Sequence, residues 1–308
     1  MRSRMSVTRR GFLSRTMTFG TLGLAARHLD AAEITPERAA QAWRIGCYTR
    51  PWAEHDYRIA LDAIAEAGYK YVGLMTTKSP NRLVISVDTT LEDAKEVGDE
   101  CKIRHLLIPS AYGGDIPVGT SIEAGIQGLR KLIDNCAAAG VGNLMMGGIG
   151  DEKLYDAYYG AIRACCDYAA EKGLGMSVKP HGGSNSSGPQ CRKVIEKVGH
   201  KNFRLWYDPG NIFYYSDGKL DPVDDAATVD GLVVGMSVKD YRQPKVVDLT
   251  PGTGQVDFPK VMARLRQGGF TSGPLIVECL APGDLPHLLG QAKQAREFVE
   301  GLVVQGKA

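Results

Sequence analysis

From Trp43 onward the chain alternates eight times between a short β-rich run and an amphipathic run. That rhythm restricts it to an α/β architecture built on parallel strands. The spacing predicts strands over residues 44–49, 71–76, 104–110, 142–148, 175–181, 204–210, 232–240 and 274–280. Helical patterns lie between them, and several stop at a glycine (Gly68, Gly140, Gly173, Gly269), where a left-handed residue ends a helix without strain. Eight β–α units over residues 43–304 match a single-domain (β/α)8 TIM barrel in count and length. An open doubly wound sheet is the alternative. Against it, no G-x-G-x-x-G follows the first strand and no Pro/Gly/Ser linker divides the chain.

Residues 1–32 do not share this rhythm. Arg9 and Arg10 precede Gly11, Phe12 and Leu13, a weakly apolar run follows to Ala26, and small residues stand at Ala31 and Ala32. A basic start, a short apolar stretch and a small-residue cleavage site make a secretory signal peptide. The apolar stretch is too short to span a bilayer as a helix, so no stable membrane anchor is expected. The arginine pair resembles the twin-arginine export signal, an address read by the export machinery. That resemblance implies a periplasmic or otherwise exported protein that folds before translocation.

Setting the signal aside reverses the charge. Residues 1–32 carry six arginines and one aspartate, +5, so a chain of net +2 becomes −3 without them. No clustered basic patch remains, which argues against nucleic acid as a partner. The seven cysteines, at 47, 101, 136, 165, 166, 191 and 279, show neither C-x-x-C nor zinc-finger spacing. They read as small buried hydrophobes, and no obligatory disulfide framework is expected.

A barrel of this kind carries its active site where the strands end. Side chains alternate along a strand, so the last inward positions can be counted. They are Tyr48 and Arg50 on strand 1, and Lys179 and His181 on strand 5. Asp208, with Asn211 just beyond, ends strand 6. Ser237 and Lys239 end strand 7, and Glu278 ends strand 8. Val178, Tyr207, Val238 and Val277 take the opposite parity, towards the helices.

The stretches YDPGN (207–211), MSVKDY (236–241), VKPH (178–181) and the long run 252–279, with its Gly-x-Gly-x-Val-Asp-Phe loop before a strand ending in Glu278, carry a resemblance. They resemble the sugar phosphate isomerase/epimerase group of the xylose isomerase-like barrel superfamily. The resemblance spans residues 44–300 and implies a sugar substrate and a divalent metal such as Mn, Mg or Zn, with no organic cofactor. In that family the metal is held by a strand-5 Glu, an Asp after strand 6, a strand-7 His and a strand-8 Glu. Asp208 and Glu278 match. The strand-5 glutamate position holds Lys179, and the strand-7 histidine position holds Ser237.

Exchanging a carboxylate for an ammonium beside a divalent ion reverses an interaction of about 4 kcal/mol per unit-charge pair at 4 Å and an effective dielectric of 20. Two arrangements remain open. In one, Lys179 is itself the cation, paired with Asp208 or Glu278, and no metal binds. In the other, His181 joins Asp208 and Glu278 as a ligand and Lys179 turns towards substrate. Either way Glu278, Lys179, His181 and Asp208 are the candidate catalytic residues, with Tyr48, Asn211, Ser237 and Lys239 as candidate substrate contacts. Each has a blander reading. Lys179 can be a structural ion pair, Lys239 and Asp240 a strand-end pair, Gly252 and Gly254 a plain turn, and Tyr214 and Tyr215 a cover over the mouth. The expected activity is isomerisation or epimerisation of a sugar by proton abstraction next to a carbonyl. A keto-sugar lyase or hydrolase using the same enolising chemistry, and a non-catalytic sugar-binding barrel with a degenerate metal site, are the alternatives. A metal-dependent DNA-repair nuclease would need more inward ligands and a basic groove.

Overall fold

The computed structural model describes residues 43–305. The expected signal segment, 1–32, lies outside them. Eight strands form one closed parallel barrel in chain order: β1 (Trp43–Tyr48), β2 (Tyr71–Leu74), β3 (Leu107–Tyr112), β4 (Asn143–Met146), β5 (Gly175–Val178), β6 (Phe203–Tyr207), β7 (Val233–Val238) and β8 (Gly273–Val277). Closure comes from β1 pairing with β8 over Trp43↔Gly273 to Cys47↔Val277. The fold is the expected (β/α)8 TIM barrel.

The helices are α1 (Tyr57–Glu66), α2 (Leu91–Ile103), α3 (Ile122–Ala139), α4 (Tyr155–Glu171), α5 (Gly188–Val198), α6 (Pro209–Tyr215), α7 (Pro222–Ala226), α8 (Phe258–Gln267) and α9 (Leu285–Gln305). Local sequence explains their limits. Ser121 caps α3 by accepting from the Ala124 N–H at 3.0 Å, a bond worth about 1 kcal/mol. Gly140 ends that helix at φ +79°. In α5, Cys191, Val194, Ile195 and Val198 recur at three- and four-residue spacing and are all buried against the barrel.

Two readings shift. Strand 3 starts at Leu107, not 104, because His105 turns at φ +57° and the Leu106 N–H closes back onto Cys101 O. Residues 209 and 210, expected as the end of strand 6, instead begin α6, since Asp208 caps it and Pro209 opens it.

Inside the barrel, Tyr48, Met75, Met145, Trp206 and Ile276 form their own apolar cluster. Glycines make room for its rings: a Cβ on Gly73 would meet the Tyr48 ring at 2.1 Å, and one on Gly235 the Trp206 ring at 2.4 Å. Val178, Tyr207, Val238 and Val277 face outward into the main core, as their parity requires. All seven cysteines are buried and free. Among the described residues no helix is long and apolar enough to cross a membrane.

Candidate active site

The C-terminal ends of the strands surround a cavity of about 280 Å³, walled by Lys179, Lys239, Glu278, Arg50, His181 and Asn211, with Tyr112, Tyr214, Tyr215, Met75 and Val247 around them. Its position follows from strand register. The Lys179 N–H continues the β4–β5 ladder by donating to Met146 O at 3.1 Å, and the Glu278 N–H donates to Val238 O at 3.1 Å. Beyond β5 the chain is held by two asparagines. Asn185 Nδ2 donates to Lys179 O at 2.7 Å and to Gly147 O at 2.9 Å, while Asn211 Nδ2 donates to Pro180 O at 2.6 Å. The DPGN motif thus has a part for each residue. Asp208 Oδ1 accepts from the Asn211 N–H at 2.9 Å, and Gly210 passes so close to β7 that a Cβ would meet Lys239 O at 2.6 Å.

Lys179 Nζ sits between two carboxylates, 2.6 Å from Glu278 Oε2 and 2.8 Å from Asp208 Oδ2. The Glu278 contact is a directed hydrogen bond. The Asp208 contact is close but poorly aligned, so Oδ2 has a charge partner without a well-directed donor. Lys239 Nζ donates to Glu278 Oε1 at 3.0 Å and to Asn211 Oδ1 at 2.9 Å, and lies 4.0 Å from Asp208 Oδ2. Arg50 Nη1 reaches Glu278 Oε1 at 3.0 Å and Nη2 reaches Asp248 Oδ1 at 3.2 Å. Lys179, Asp208 and Glu278 are 1%, 0% and 2% exposed, so water screens them little. Burial alone would raise the Glu278 pKa, but Lys179, Lys239 and Arg50 override it and hold the carboxyl well below its ordinary range. Burial would lower the Lys179 pKa, and Asp208 and Glu278 override that, raising it.

His181 stands at the exposed rim with its ring between Tyr112 and Tyr215, at centroid distances of 6.0 and 5.7 Å. Partial desolvation there, and then the Lys179 ammonium, push its pKa down to about 4, so the imidazole is neutral at pH 7. Its backbone N–H donates to Asn185 O. Gly182 turns at φ +88° beneath the Tyr215 ring, where a Cβ would stand 2.8 Å from it.

This donor set does not fit a divalent ion, because the place between Asp208 and Glu278 is filled by the Lys179 ammonium. Among the described residues no group of three His, Cys, Asp or Glu side chains is placed to hold a metal. His181 is not grouped with Asp208 and Glu278 as a third ligand, and Lys179 is paired with both carboxylates, as one of the two expected arrangements has it. Two candidate substrate contacts are also displaced. Tyr48 and Ser237 do point inward, but one layer too deep: the Tyr48 hydroxyl donates to Ser110 Oγ at 2.9 Å, and Ser237 Oγ accepts from Trp206 Nε1 at 3.2 Å. Neither lines the cavity. Asn211 and Lys239 do, and so do Tyr214 and Tyr215.

Asp240 does not pair with Lys239. Its carboxylate turns away from the cavity and accepts from the N–H groups of Tyr241, Gly252, Gly254 and Val256 at 2.8–3.1 Å. The glycine loop is an anion nest already filled by the protein itself. A Cβ on Gly254 would lie 2.2 Å from Asp240 Oδ1, which explains that glycine. Asn185 and Asp248 escaped the sequence reading because they lie on loops beyond the strand ends. The GGSN turn after His181 was the one signal for Asn185.

The family model described as xylose isomerase-like TIM barrel matches residues 61–302. The chain belongs to the xylose isomerase-like TIM barrel family. A probable L-ribulose-5-phosphate 3-epimerase of Mycoplasma pneumoniae is 26% identical over 115 residues, 36% of each chain, so the match spans about a third of that relative's length. Among solved structures, a xylose isomerase-like TIM barrel protein from Mycobacterium smegmatis in complex with magnesium superposes with a TM-score of 0.70 at 16% identity, covering 87% of this chain and 99% of that one. A D-allulose 3-epimerase from Methylomonas sp. in complex with D-allulose gives 0.65 at 18% identity, over 84% and 96%. At such identities the structural likeness concerns the fold. Magnesium in one xylose isomerase-like barrel does not carry over to a site whose centre is a lysine.

Proposed function

We propose that this protein is an exported sugar isomerase or epimerase that enolises a ketose or aldose with lysines where the sequence resemblance implies a metal. The supporting observation is the donor count at Lys179 and Lys239. Each ammonium has three N–H groups. Lys179 directs one at Glu278 and lies 2.8 Å from Asp208 Oδ2 without good alignment, and Lys239 spends two on Glu278 and Asn211. At least one donor of each remains, and both side chains wall the cavity. Two such donors suit a carbonyl oxygen and its neighbouring hydroxyl. A preorganised donor at a developing oxyanion is worth about 3–4 kcal/mol in a site of this kind.

Glu278 is a weak candidate for the base, since Lys179, Lys239 and Arg50 occupy its oxygens and hold it ionised. His181 is neutral and faces the cavity between two phenols. In this reading the imidazole takes the proton from the carbon beside the carbonyl. The C–H electron pair forms a carbon–carbon double bond, and the carbonyl oxygen becomes an enolate oxygen held by the lysines. Return of the proton to the former carbonyl carbon, with the neighbouring hydroxyl giving its proton to the enolate oxygen, isomerises the sugar. A proton delivered by water to the opposite face of the original carbon, while the imidazolium gives its own up to solvent, epimerises it. Tyr112 and Tyr215, whose pKa values burial raises, remain protonated donors for sugar hydroxyls.

Export rests on the twin-arginine resemblance of residues 1–32, and the sugar class on the family and on the epimerases similar to this chain. The decisive experiment incubates chelator-treated protein with D-allulose and D-fructose in D2O and follows deuterium entry and product by NMR. Exchange into the carbon next to the carbonyl is expected. Sugar binding in calorimetry without exchange would favour the sugar-binding barrel, which the full pairing of Glu278 makes the second reading. Neither binding nor exchange would overturn both.

A further inference from the structure

Three cations approach the cavity, and each is already matched. Lys179 pairs with Asp208 and Glu278, Lys239 with Glu278, and Arg50 with Glu278 and Asp248. Three positive side chains thus meet three carboxylates. His181 adds no charge at neutral pH, because its environment favours the neutral ring. The rest of the wall is uncharged: Thr76, Tyr112, Tyr214, Tyr215, Asn211, Met75 and Val247.

A phosphate group is ordinarily held by unspent arginine or lysine, or by backbone amides in a nest or at a helix N-terminus. The natural nest here is the Gly252–Gly254 loop, and Asp240 fills it with four amide hydrogen bonds. The N-terminus of α6 is likewise spent, since Asp208 Oδ1 accepts the Asn211 N–H. The Arg50 fork is divided between two carboxylates. A dianion entering this cavity would meet no uncompensated charge and would be desolvated beside Glu278, which is 2% exposed. Single N–H donors with aromatic and apolar walls suit hydroxyl and carbonyl oxygens instead. The volume, about 280 Å³, lies at the small end of ligand pockets and limits the occupant to about one sugar ring.

We infer that the site takes an unphosphorylated, uncharged monosaccharide and rejects the corresponding sugar phosphate. This rests on the cavity being a sugar site, and it divides two kinds of protein that this chain resembles. One is the probable L-ribulose-5-phosphate 3-epimerase of Mycoplasma pneumoniae, and the other is the D-allulose 3-epimerase seen with D-allulose.

The test is calorimetry with wild-type protein at pH 7.5, titrated in parallel with D-allulose, D-fructose, D-fructose 6-phosphate and inorganic phosphate. At least one free ketohexose is expected to bind tenfold or more tightly than D-fructose 6-phosphate, with inorganic phosphate failing to compete. Tighter binding of the 6-phosphate, or competition by inorganic phosphate, would overturn the inference while leaving an isomerase reading intact. Binding of none of the four would overturn both.

Discussion

Lys179 Nζ stands 2.6 Å from Glu278 Oε2 and 2.8 Å from Asp208 Oδ2, an ammonium held between two carboxylates with almost no water around any of them. An isolated buried charge is costly, and each of these three is tolerable only because the others are there. Lys239 and Arg50 close the arrangement by taking the other oxygen of Glu278. The barrel mouth is therefore built as a charge-balanced cluster.

Removing the central cation should expose that interdependence. Lys179→Met leaves Asp208 with Lys239 at 4.0 Å as its nearest remaining cation. Breaking a buried pair by deleting one partner costs about 3–5 kcal/mol. Urea unfolding at pH 7 should show a loss of that order. A loss below about 1 kcal/mol, the range of exposed pairs, would mean that Lys179 reaches water.

Reversing its charge should create a metal site. Lys179→Glu restores the carboxylate that the family places at the end of β5, beside Asp208 and Glu278. Manganese should then bind more tightly than to the wild type, by up to the ~4 kcal/mol Coulomb figure less the desolvation cost. Calorimetry with Mn²⁺ decides the matter. Equal affinity in both proteins would show that Lys179 does not occupy the metal position.

The pH profile of stability follows from the signs of the shifts. Glu278 has a lowered folded pKa, so its contribution is complete above the ordinary 4.5 and is lost as pH falls through the lower folded value. Lys179 has a raised folded pKa, so its contribution is complete below 10.5 and is lost as pH rises through the higher folded value. The cluster should therefore contribute evenly between these limits. Urea midpoints that already fall between pH 8 and 9 in wild type, but not in Lys179→Met, would contradict the pairing.

His181 should leave its mark on rate. Its folded pKa of about 4 lies below the ordinary 6.5, so the imidazole stays a base well into acid. Deuterium exchange into a ketohexose should hold steady from pH 8 to about 5 and decline only near 4. His181→Asn should remove most of the exchange while calorimetry still detects the sugar. A decline centred at 6.5 would assign the base elsewhere or place the ring in open water.

Asp240 should matter for folding rather than for ligand. Asp240→Ala strips four amides of their acceptor, and hydrogen bonds to a charged group contribute about 1.5–3 kcal/mol each before water repairs some of them. Thermal unfolding should show a large loss, with Asp240→Asn retaining part of the stability. A variant as stable as wild type would mean that the glycine loop holds its shape without the aspartate.

The architecture was legible because it is written in periodicities. Eight alternations of a two-residue and a 3.6-residue repeat leave few folds open, and the glycine stops bounded the helices that the structure shows. Parity along β5, β6, β7 and β8 sufficed to aim Lys179, Asp208, Lys239 and Glu278 at one mouth, since side chains two apart share a face whatever surrounds them. Depth was not legible. Tyr48 and Ser237 have the right parity but sit a layer below the cavity, a matter of strand stagger around the closed barrel that no single strand records. Nor could one strand say whether Lys179 would stand in for a metal or leave room for His181 beside Asp208 and Glu278. That depended on distances between β5, β6 and β8, which closure alone brings together. Likewise the Gly-x-Gly loop and Asp240 each carried a motif in isolation, and only folding showed that one fills the other. Local periodicity is set by backbone geometry within a few residues, whereas pairing of charges depends on which strand ends meet in space.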